Sequence, residues 1–564
     1  MSASDLPAFL QQLDPETFPE GPTRQTIVTL LNLLAALHAE VHAVRTENER
    51  LKEEIRRLKG TPGKPTLPTG RRGKTGEPDP ATNQGHSSEQ QRRTRKPWQK
   101  GTKLDRIVVD RTVSLSEPPP DLPADAIFKA FEPVLFQDLV LHTDNVRFLR
   151  AKFYSPSQRR VYYAPLPPGY EGEFGPGTRA LVLSLGYSCH LSQALIHTFL
   201  ENGGLLISRG QVCNLLTQGQ ARFHAEAQAV RRAGLTSAPW HHYDVTSTRV
   251  DGVTHACHLL TGPLYSVYHT LPQQDRASVV DVLRGGAPRT YRLDATALAL
   301  LAESSLSQRV QRRLAALRTE ETWDELAFTA FLTRHFPGLG QPARKKITDA
   351  AVIAAYRAEP EAPVVRCLVC DDAAAVRGVV EELALCWVHD ARHYQKLVPA
   401  FTCHRKALAR FQERYWEFYR ELQAYRTAPT EAEAARLGRA FDTLFGCETL
   451  YADLNTCIAR TRGHKAKLLR VLTHPELPLH NNPAELAARR RVRKRDVSFG
   501  PRSAAGVAAW DTFQSLVATT GKLGIQFYAY LKDRLTGAGE IPPLAEVIEA
   551  RARVLNLGMS WDSS

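Results

Sequence analysis

Three β-rich runs follow one another between Trp240 and Leu271, and they commit this part of the chain to an antiparallel meander. They read WHHYDVTSTRV, VTHACHLL and LYSVYHTL. Asp251-Gly252 joins the first two, a dipeptide that favours the positive φ angles of a two-residue hairpin. Thr261-Gly262-Pro263 turns the chain between the second and third. A helical segment, RASVVDVLRGG, follows, and residues 295–358 read as helical and charged. At Val364 a new run begins, VVRCLVC, whose unbroken apolar character suits a strand covered on both faces, as in parallel pairing. A short helix (AAAVRGVVEEL) and another strand (ALCWVH) come next. A long helical stretch over 391–470 then leads to a final helix opened by LPLHNNPAEL. The order predicts an α/β core over 236–535 with helical insertions near 290–360 and 391–470.

Three acidic residues occupy telling places in that order. Asp244 lies inside the first strand, where aspartate is disfavoured, so its carboxylate needs a metal or a basic partner. Asp371 and Asp372 lie just past the buried strand, where open α/β sheets place ligands. Asn482 or Asn481 can cap the last helix, Pro483 suits its first turn, and Glu485 falls in that turn. Clustered carboxylates are hard oxygen ligands suited to Mg²⁺ or Mn²⁺. Two such ions about 4 Å apart can serve an in-line phosphoryl transfer. In that arrangement Asp244 bridges both ions, and Asp371 and Glu485 each complete one coordination shell. Asp372 is the alternative to Asp371 if the strand register shifts by one. Asp294 competes for the same role if no insertion fills the 127 positions between Asp244 and Asp371.

The charge balance points to a polyanionic partner. The chain has 564 residues and a formal net charge of +14, which favours nucleic acid. Just beyond Glu485, Arg489, Arg490, Arg491, Arg493, Lys494 and Arg495 are expected to hold the DNA phosphate backbone. Residues 61–103 hold ten Lys or Arg against three Asp or Glu in a Pro, Gly, Ser and Gln-rich setting. That composition reads as a flexible linker, either a basic arm tracking phosphates or a solvated tether. Residues 178–235 read as helices, with Ser192 and Ser208 as N-caps and Gly203-Gly204 as a turn. As a helix-turn-helix they would present Ser208, Arg209, Gln211 and Asn214 to DNA; as a structural hairpin they would not.

At the N-terminus, within residues 1–60, the spacing predicts a coiled coil over 27–58. Ile27, Leu30, Leu34, Leu37, Val41, Val44, Asn48, Leu51, Ile55 and Leu58 alternate steps of three and four. Asn48 at a core position favours a parallel homodimer; the alternative is a helix packed within its own chain. Residues 104–177 read as a β/turn region with no assignable role, and 536–564 as a C-terminal tail. No apolar stretch is expected to span a membrane, and an uneven nine cysteines fit reduced thiols, so a cytoplasmic protein is expected.

The blocks CLVCDDAAAV, LCWVHDARHYQKL, HNNPAELAARRRVRKRDVSFG and YAYLKD resemble the transposases of the insertion sequence 66 family. The resemblance implies a ribonuclease-H-like core and a DDE motif at Asp244, Asp371 and Glu485. It implies metal-dependent cleavage of double-stranded DNA at transposon ends, and joining of the freed 3′ hydroxyl to target DNA. Accessory proteins of the same element are a further implied partner. The chain departs from the family in having no cysteine before Cys189, where a zinc-binding segment is common. A DNA-binding regulator or a metal nuclease of the same fold would share many of these features.

Other residues admit two readings. Cys367, Cys370, Cys386 and His389 approach a zinc spacing, yet residues three apart on a strand face opposite ways. His389 ends a strand near Asp371, where it could support the site from behind or touch phosphate. Trp387, Trp510 and Phe513 fit a core better than a surface that stacks on bases.

Overall fold

The computed structural model describes residues 13–58 and 107–557, apart from 118–121, 124, 125, 127, 133, 286, 360–364 and 373. The expected basic linker, 61–103, lies outside the described residues. The chain falls into two units, the smaller made, among the described residues, of those within 107–147 with 200–206. Its described residues between 107 and 147 form neither helix nor strand. The larger unit holds the sheet and the candidate site.

Helix α1 (Pro22–Leu58) carries the heptad run but meets its own chain through a different stripe. Ile27, Leu31 and Ala35 recur every fourth residue and pack on Ala400, Phe401, Cys403 and Leu450. The Asn32 side chain donates to the Leu450 carbonyl (3.1 Å) and accepts from the Ala452 amide (3.0 Å). The heptad residues Leu34, Leu37, Val41, Val44 and Leu51 stay exposed. The sequence reading of no spanning stretch is corrected on one point. Pro22–Lys52 is long and apolar enough, by length and composition alone, to cross a membrane. Its apolar residues follow the heptad spacing, and its first turns are held on the folded unit by Leu31 and Asn32.

Strands β1 (Lys152–Ser155) and β2 (Arg160–Tyr163) form an exposed hairpin. Four helices follow: α2 (Pro176–Leu183), α3 (Gln193–Asn202), α4 (Arg209–Thr217) and α5 (Ala221–Thr236). Ser208 caps α4 by accepting from the Gln211 amide at 3.1 Å, and Ser192 accepts from Leu195 N at 3.3 Å.

The main sheet is built from β3 (Trp240–Val250), β4 (Val253–Thr261), β5 (Ser266–Leu271), β8 (Cys367–Cys370) and β9 (Glu382–Leu385). Its order is β5-β4-β3-β8-β9, antiparallel from β5 to β3 and parallel from β3 to β9. Asp251 (φ 48°) and Gly252 (φ 79°) supply the two left-handed residues of the β3–β4 turn. Between β5 and β8 lie α6 (Arg276–Arg284), α7 (Ala295–Ala302), α8 (Gln308–Ala316), α9 (Glu325–His335) and α10 (Gln341–Arg357). A two-strand pair of β6 (Tyr291–Arg292) and β7 (Thr322–Trp323) stands among them. After β9 come α11 (Trp387–Gln395), α12 (Thr402–Tyr425), α13 (Glu431–Phe445), α14 (Ala452–Gly463) and α15 (Lys465–Leu468). Trp387 is fully buried there, with Tyr415, Phe418, Phe441 and Phe445 around its ring.

Helix α16 (Asn482–Ser498) and helix α17 (Ala504–Lys522) cover one face of the sheet. Cys257, Leu259 and Tyr268 of the strands meet Ala487, Ala488 and Ala518 of the helices, small residues that let the helices sit close. Gly500 (φ 107°) ends α16 beside the β3–β4 turn. A Cβ there would stand 2.2 Å from the Arg249 carbonyl oxygen, so only glycine fits. Past α18 (Phe527–Thr536), the expected tail contains α19 (Leu544–Val554), which packs on α5 with Leu544 and Ile548 buried.

Candidate active site

The site is set by the β3–β8 register. Trp240 pairs with Cys367 and His242 with Val369 in parallel. Carried two residues further, the same offset puts Asp371, the first residue past β8, level with Asp244 of β3; neighbouring strands run about 4.8 Å apart. Side chains at matched positions share a face. On this face Trp240 packs with Cys367 and Val369, and α16 lies over it.

Glu485 enters from the first turn of α16, and Asn481 fixes that helix in place. Asn481 stands at the N-cap position, but its side chain does not cap the helix. It is fully buried, donates Nδ2 to the Tyr243 carbonyl at 2.9 Å, and meets His242 Nδ1 at 3.0 Å through Oδ1. Its backbone amide donates to Cys386 Sγ at 3.2 Å. One asparagine thus ties the helix start to both the Asp244 strand and the end of β9. The sequence reading offered Asn481 as a cap; its local spacing carries no sign of the partners across the sheet.

Two basic side chains of α11 complete the cluster. His389 Nδ1 lies 2.6 Å from Asp371 Oδ1 and 3.4 Å from Glu485 Oε1. Arg392 Nη2 contacts both Glu485 oxygens, at 3.0 and 3.2 Å, and Nη1 touches His389 Nε2. Asp371 Oδ1 and His389 Nδ1 are buried ion-pair partners that each lack a hydrogen bond of good geometry. Burial, the Asp371 carboxylate and the Glu485 carboxylate push the Asp244 pKa up to about 6, against the Val245 amide and His389. Burial works against a charged His389, and Asp371 and Cys386 outweigh it, so its pKa is raised. Asp371, Cys386 and His389 offer ligand atoms all within 4.8 Å of one another.

The alternatives to Asp371 have other partners. Asp372 points away, with Arg377 Nη2 at 2.7 Å from each of its oxygens. Asp294 caps α7 by accepting from the Ala297 amide at 3.0 Å and pairs with Arg292 at 3.3 Å. Cys367 and Cys370 are buried in β8, so the four-residue zinc spacing does not converge: of that set, only Cys386 and His389 share a cluster.

The basic run on α16 requires a correction. Arg491 is fully buried, bonded to Gln514 (2.7 Å) and Thr270 (2.6 Å) and paired with Asp511 (3.1 Å). Lys494 is buried, donates to the Leu191 carbonyl at 3.0 Å and lies over the Trp510 ring; burial lowers its pKa to about 8. Arg495 donates to the Ser247 carbonyl at 2.6 Å. Ala484, Ala487, Arg491 and Lys494 form the inward stripe of α16. Arg489 and Arg493 remain exposed and Arg490 half-buried. On α4, Ser208, Arg209 and Asn214 are exposed, and Gln211 accepts from Asn214 at 3.2 Å. Trp510 and Phe513 are buried core residues.

Comparison with known proteins adds two findings. The family described as Transposase IS66 family matches residues 365–509, a span that includes Asp371 and Glu485. An uncharacterised protein, y4jO of Sinorhizobium fredii (strain NBRC 101917 / NGR234), is 30% identical over 322 residues, covering 57% of this chain and 99% of the relative. No solved structure matches the chain.

Proposed function

The chain belongs to the IS66 family of transposases, and on that premise we propose that it cuts DNA at transposon ends and joins the freed 3′ hydroxyl to target DNA, with Asp244, Asp371 and Glu485 as its catalytic carboxylates. Family membership itself gives a transposase role, with DNA as substrate. The finer reading is carried by one observation: the β3–β8 register sets Asp371 opposite Asp244, while His389 bridges Asp371 to Glu485. The sheet order β5-β4-β3-β8-β9 supports a ribonuclease-H-like core.

The donor set fits divalent metal. The Asp371 Oδ1 atom is buried without a hydrogen bond of good geometry, and burial first, then the nearby Asp371 and Glu485 carboxylates, raises the Asp244 pKa. Cys386 adds a soft donor nearby, but its sulfur already accepts the Asn481 amide. Asp244, Asp371 and Glu485 would hold two Mg²⁺ or Mn²⁺ ions, which supply Lewis-acid activation of the attacking and leaving oxygens. The protein's own groups do the rest. Asn481 and the β3–β8 pairing hold the carboxylates in place, so little reorganisation accompanies reaction. Arg489 and Arg493, on the open side of α16, face solvent where the DNA backbone would lie. Dimerisation belongs to the same reading: the exposed Leu34, Leu37, Val41, Val44 and Leu51 of α1, with Asn48 among them, suit a second copy of the helix.

The test is a strand-cleavage and joining assay with labelled duplexes carrying the element's ends. The full chain with Mg²⁺ is expected to release nicked strands and to form joined products. Glu485→Gln is expected to abolish both while still binding DNA. Cleavage without joined product would make it a nuclease, and an unaffected Glu485→Gln variant would remove the carboxylate site from the chemistry.

A further inference from the structure

Asp371 and Asp372 are neighbours in sequence, about 3.8 Å apart at Cα, yet their carboxylates serve different surroundings. Asp371 turns toward Asp244 and Glu485. Asp372 turns toward the helical insertion that follows β9, and there it is met by Arg377, five residues on in its own loop, and by Arg460 and His464 at the C-terminal end of α14. Arg377 grips both its oxygens at 2.7 Å, His464 Nε2 lies at 3.5 Å and Arg460 Nη2 at 3.8 Å. From this geometry we infer that Asp372 organises Arg377, Arg460 and His464 into a cradle for the phosphate backbone of the DNA strand lying in the active site, which makes the insertion a DNA-contacting element. The inference rests on the proposed strand-transfer function.

Four observations support it. One carboxylate faces two arginines, so the cluster keeps an excess of positive charge. The arginines are placed to reach a ligand: the Arg377 side chain is 47% exposed and that of Arg460 40%, whereas Asp372 beneath them is 14% exposed. Arg460 otherwise rests on His393, with Nη1 at 2.7 and 2.6 Å from the two ring nitrogens, and that ring is held below its ordinary pKa by burial and by Arg460. A neutral imidazole positions a guanidinium without cancelling its charge. Lastly, α14 is locked to α11 next to Arg460. Thr461 Oγ1 donates to buried Asp390 at 2.8 Å and shares a 2.6 Å contact with Tyr394 Oη, while Tyr415 Oη donates to Asp390 at 3.1 Å. Such a network costs a good deal to build and gives the arginine a fixed base, as rigid support of a phosphate contact requires. A helix that only filled space would have no need of a half-exposed arginine held beside Asp372.

The chemistry that recognises this cradle is a phosphodiester, read by charge and by the guanidinium fork rather than by base identity. The experiment measures DNA affinity against salt concentration for the full-length chain carrying Glu485→Gln. Its probe is a labelled random-sequence duplex in chelator. Arg460→Gln and Arg377→Gln are each expected to lower the slope of log affinity against log salt by about 0.9, the effect of one lost phosphate contact. Arg460→Lys is expected to restore the slope, and a purely packing role would not produce that rescue. The inference is overturned if neither Gln variant changes the slope at an unchanged thermal midpoint, or if Lys fails to restore it. A wild-type chain that never cuts DNA, with slopes that respond as stated, would overturn the proposed reaction and leave the cradle standing. Normal cutting with unresponsive slopes would do the reverse.

Discussion

Replacing Asp244 with Asn should stabilise the metal-free protein, and the size of the gain follows from the site's electrostatics. Asp244 sits half-buried opposite Asp371, with Glu485 close enough to add to the repulsion. Its carboxyl pKa rises from 3.8 to about 6, with burial the largest cause and Asp371 the next. A folded state that holds its proton more tightly than the unfolded chain loses stability as pH rises from the unfolded value through the folded one. The penalty is absent well below pH 3.8 and complete above about pH 6. At about 1.36 kcal/mol per pH unit, it reaches about 3 kcal/mol at pH 8 and about 1.6 kcal/mol at pH 5. Asparagine carries no charge, and its side-chain oxygen can still accept the Val245 amide that Asp244 accepts at 2.8 Å. Urea unfolding in chelator, followed by fluorescence, should therefore show Asp244→Asn more stable than wild type by up to about 3 kcal/mol at pH 8. The advantage should shrink by about 1.4 kcal/mol on moving to pH 5. Added Mn²⁺ should stabilise wild type and leave the variant unmoved. A variant less stable than wild type at pH 8, or one whose advantage does not depend on pH, would refute the claim that crowded carboxylates hold strain that metal relieves.

Three further outcomes are expected. Asn481→Ala removes two buried side-chain bonds and leaves His242 Nδ1 and the Tyr243 carbonyl unsatisfied, so it should cost about 2–4 kcal/mol in unfolding experiments. Arg491→Met removes the partner of Asp511 in the core and should destabilise by about 3–5 kcal/mol, while the DNA-binding salt slope stays at its wild-type value. Glutamates in place of Val41 and Val44 should turn a dimer into a monomer in sedimentation while leaving the thermal midpoint of the sheet-bearing unit unchanged, because both residues lie on the exposed face of α1.

What the sequence disclosed and what it hid divide along physical lines. The meander was legible because Asp251-Gly252 is a local signal, and the structure places both residues at positive φ. The buried strand was legible because an apolar run ends sharply at two aspartates. The pairing of β8 with β3 depends on contacts across 127 positions, which no local pattern encodes, yet the carboxylates themselves marked the level at which the strands align. Asn481 was misread because an asparagine before a helix so often caps it, whereas this one spends its amide on the neighbouring strand. The arginine run was over-read. Six basic residues in seven looked like one DNA-facing surface, but helical periodicity turns Arg491 and Lys494 inward beneath Trp510. Their spacing from Ala484 and Ala487, three and four residues at a time, was the available signal. In the 391–470 insertion the aromatic spacing of α12 and α13 marks a core, while the Asp372 cluster joins its own loop to the end of α14, far along the chain, and has no local signature.

The most direct test of the central claim is an anomalous-scattering map from crystals of the full chain soaked in Mn²⁺. The account predicts metal peaks bounded by Asp244, Asp371 and Glu485, with Arg392 released from Glu485 and Asp372 still held by Arg377. Manganese bound elsewhere, or by Asp372 in place of Asp371, would contradict it.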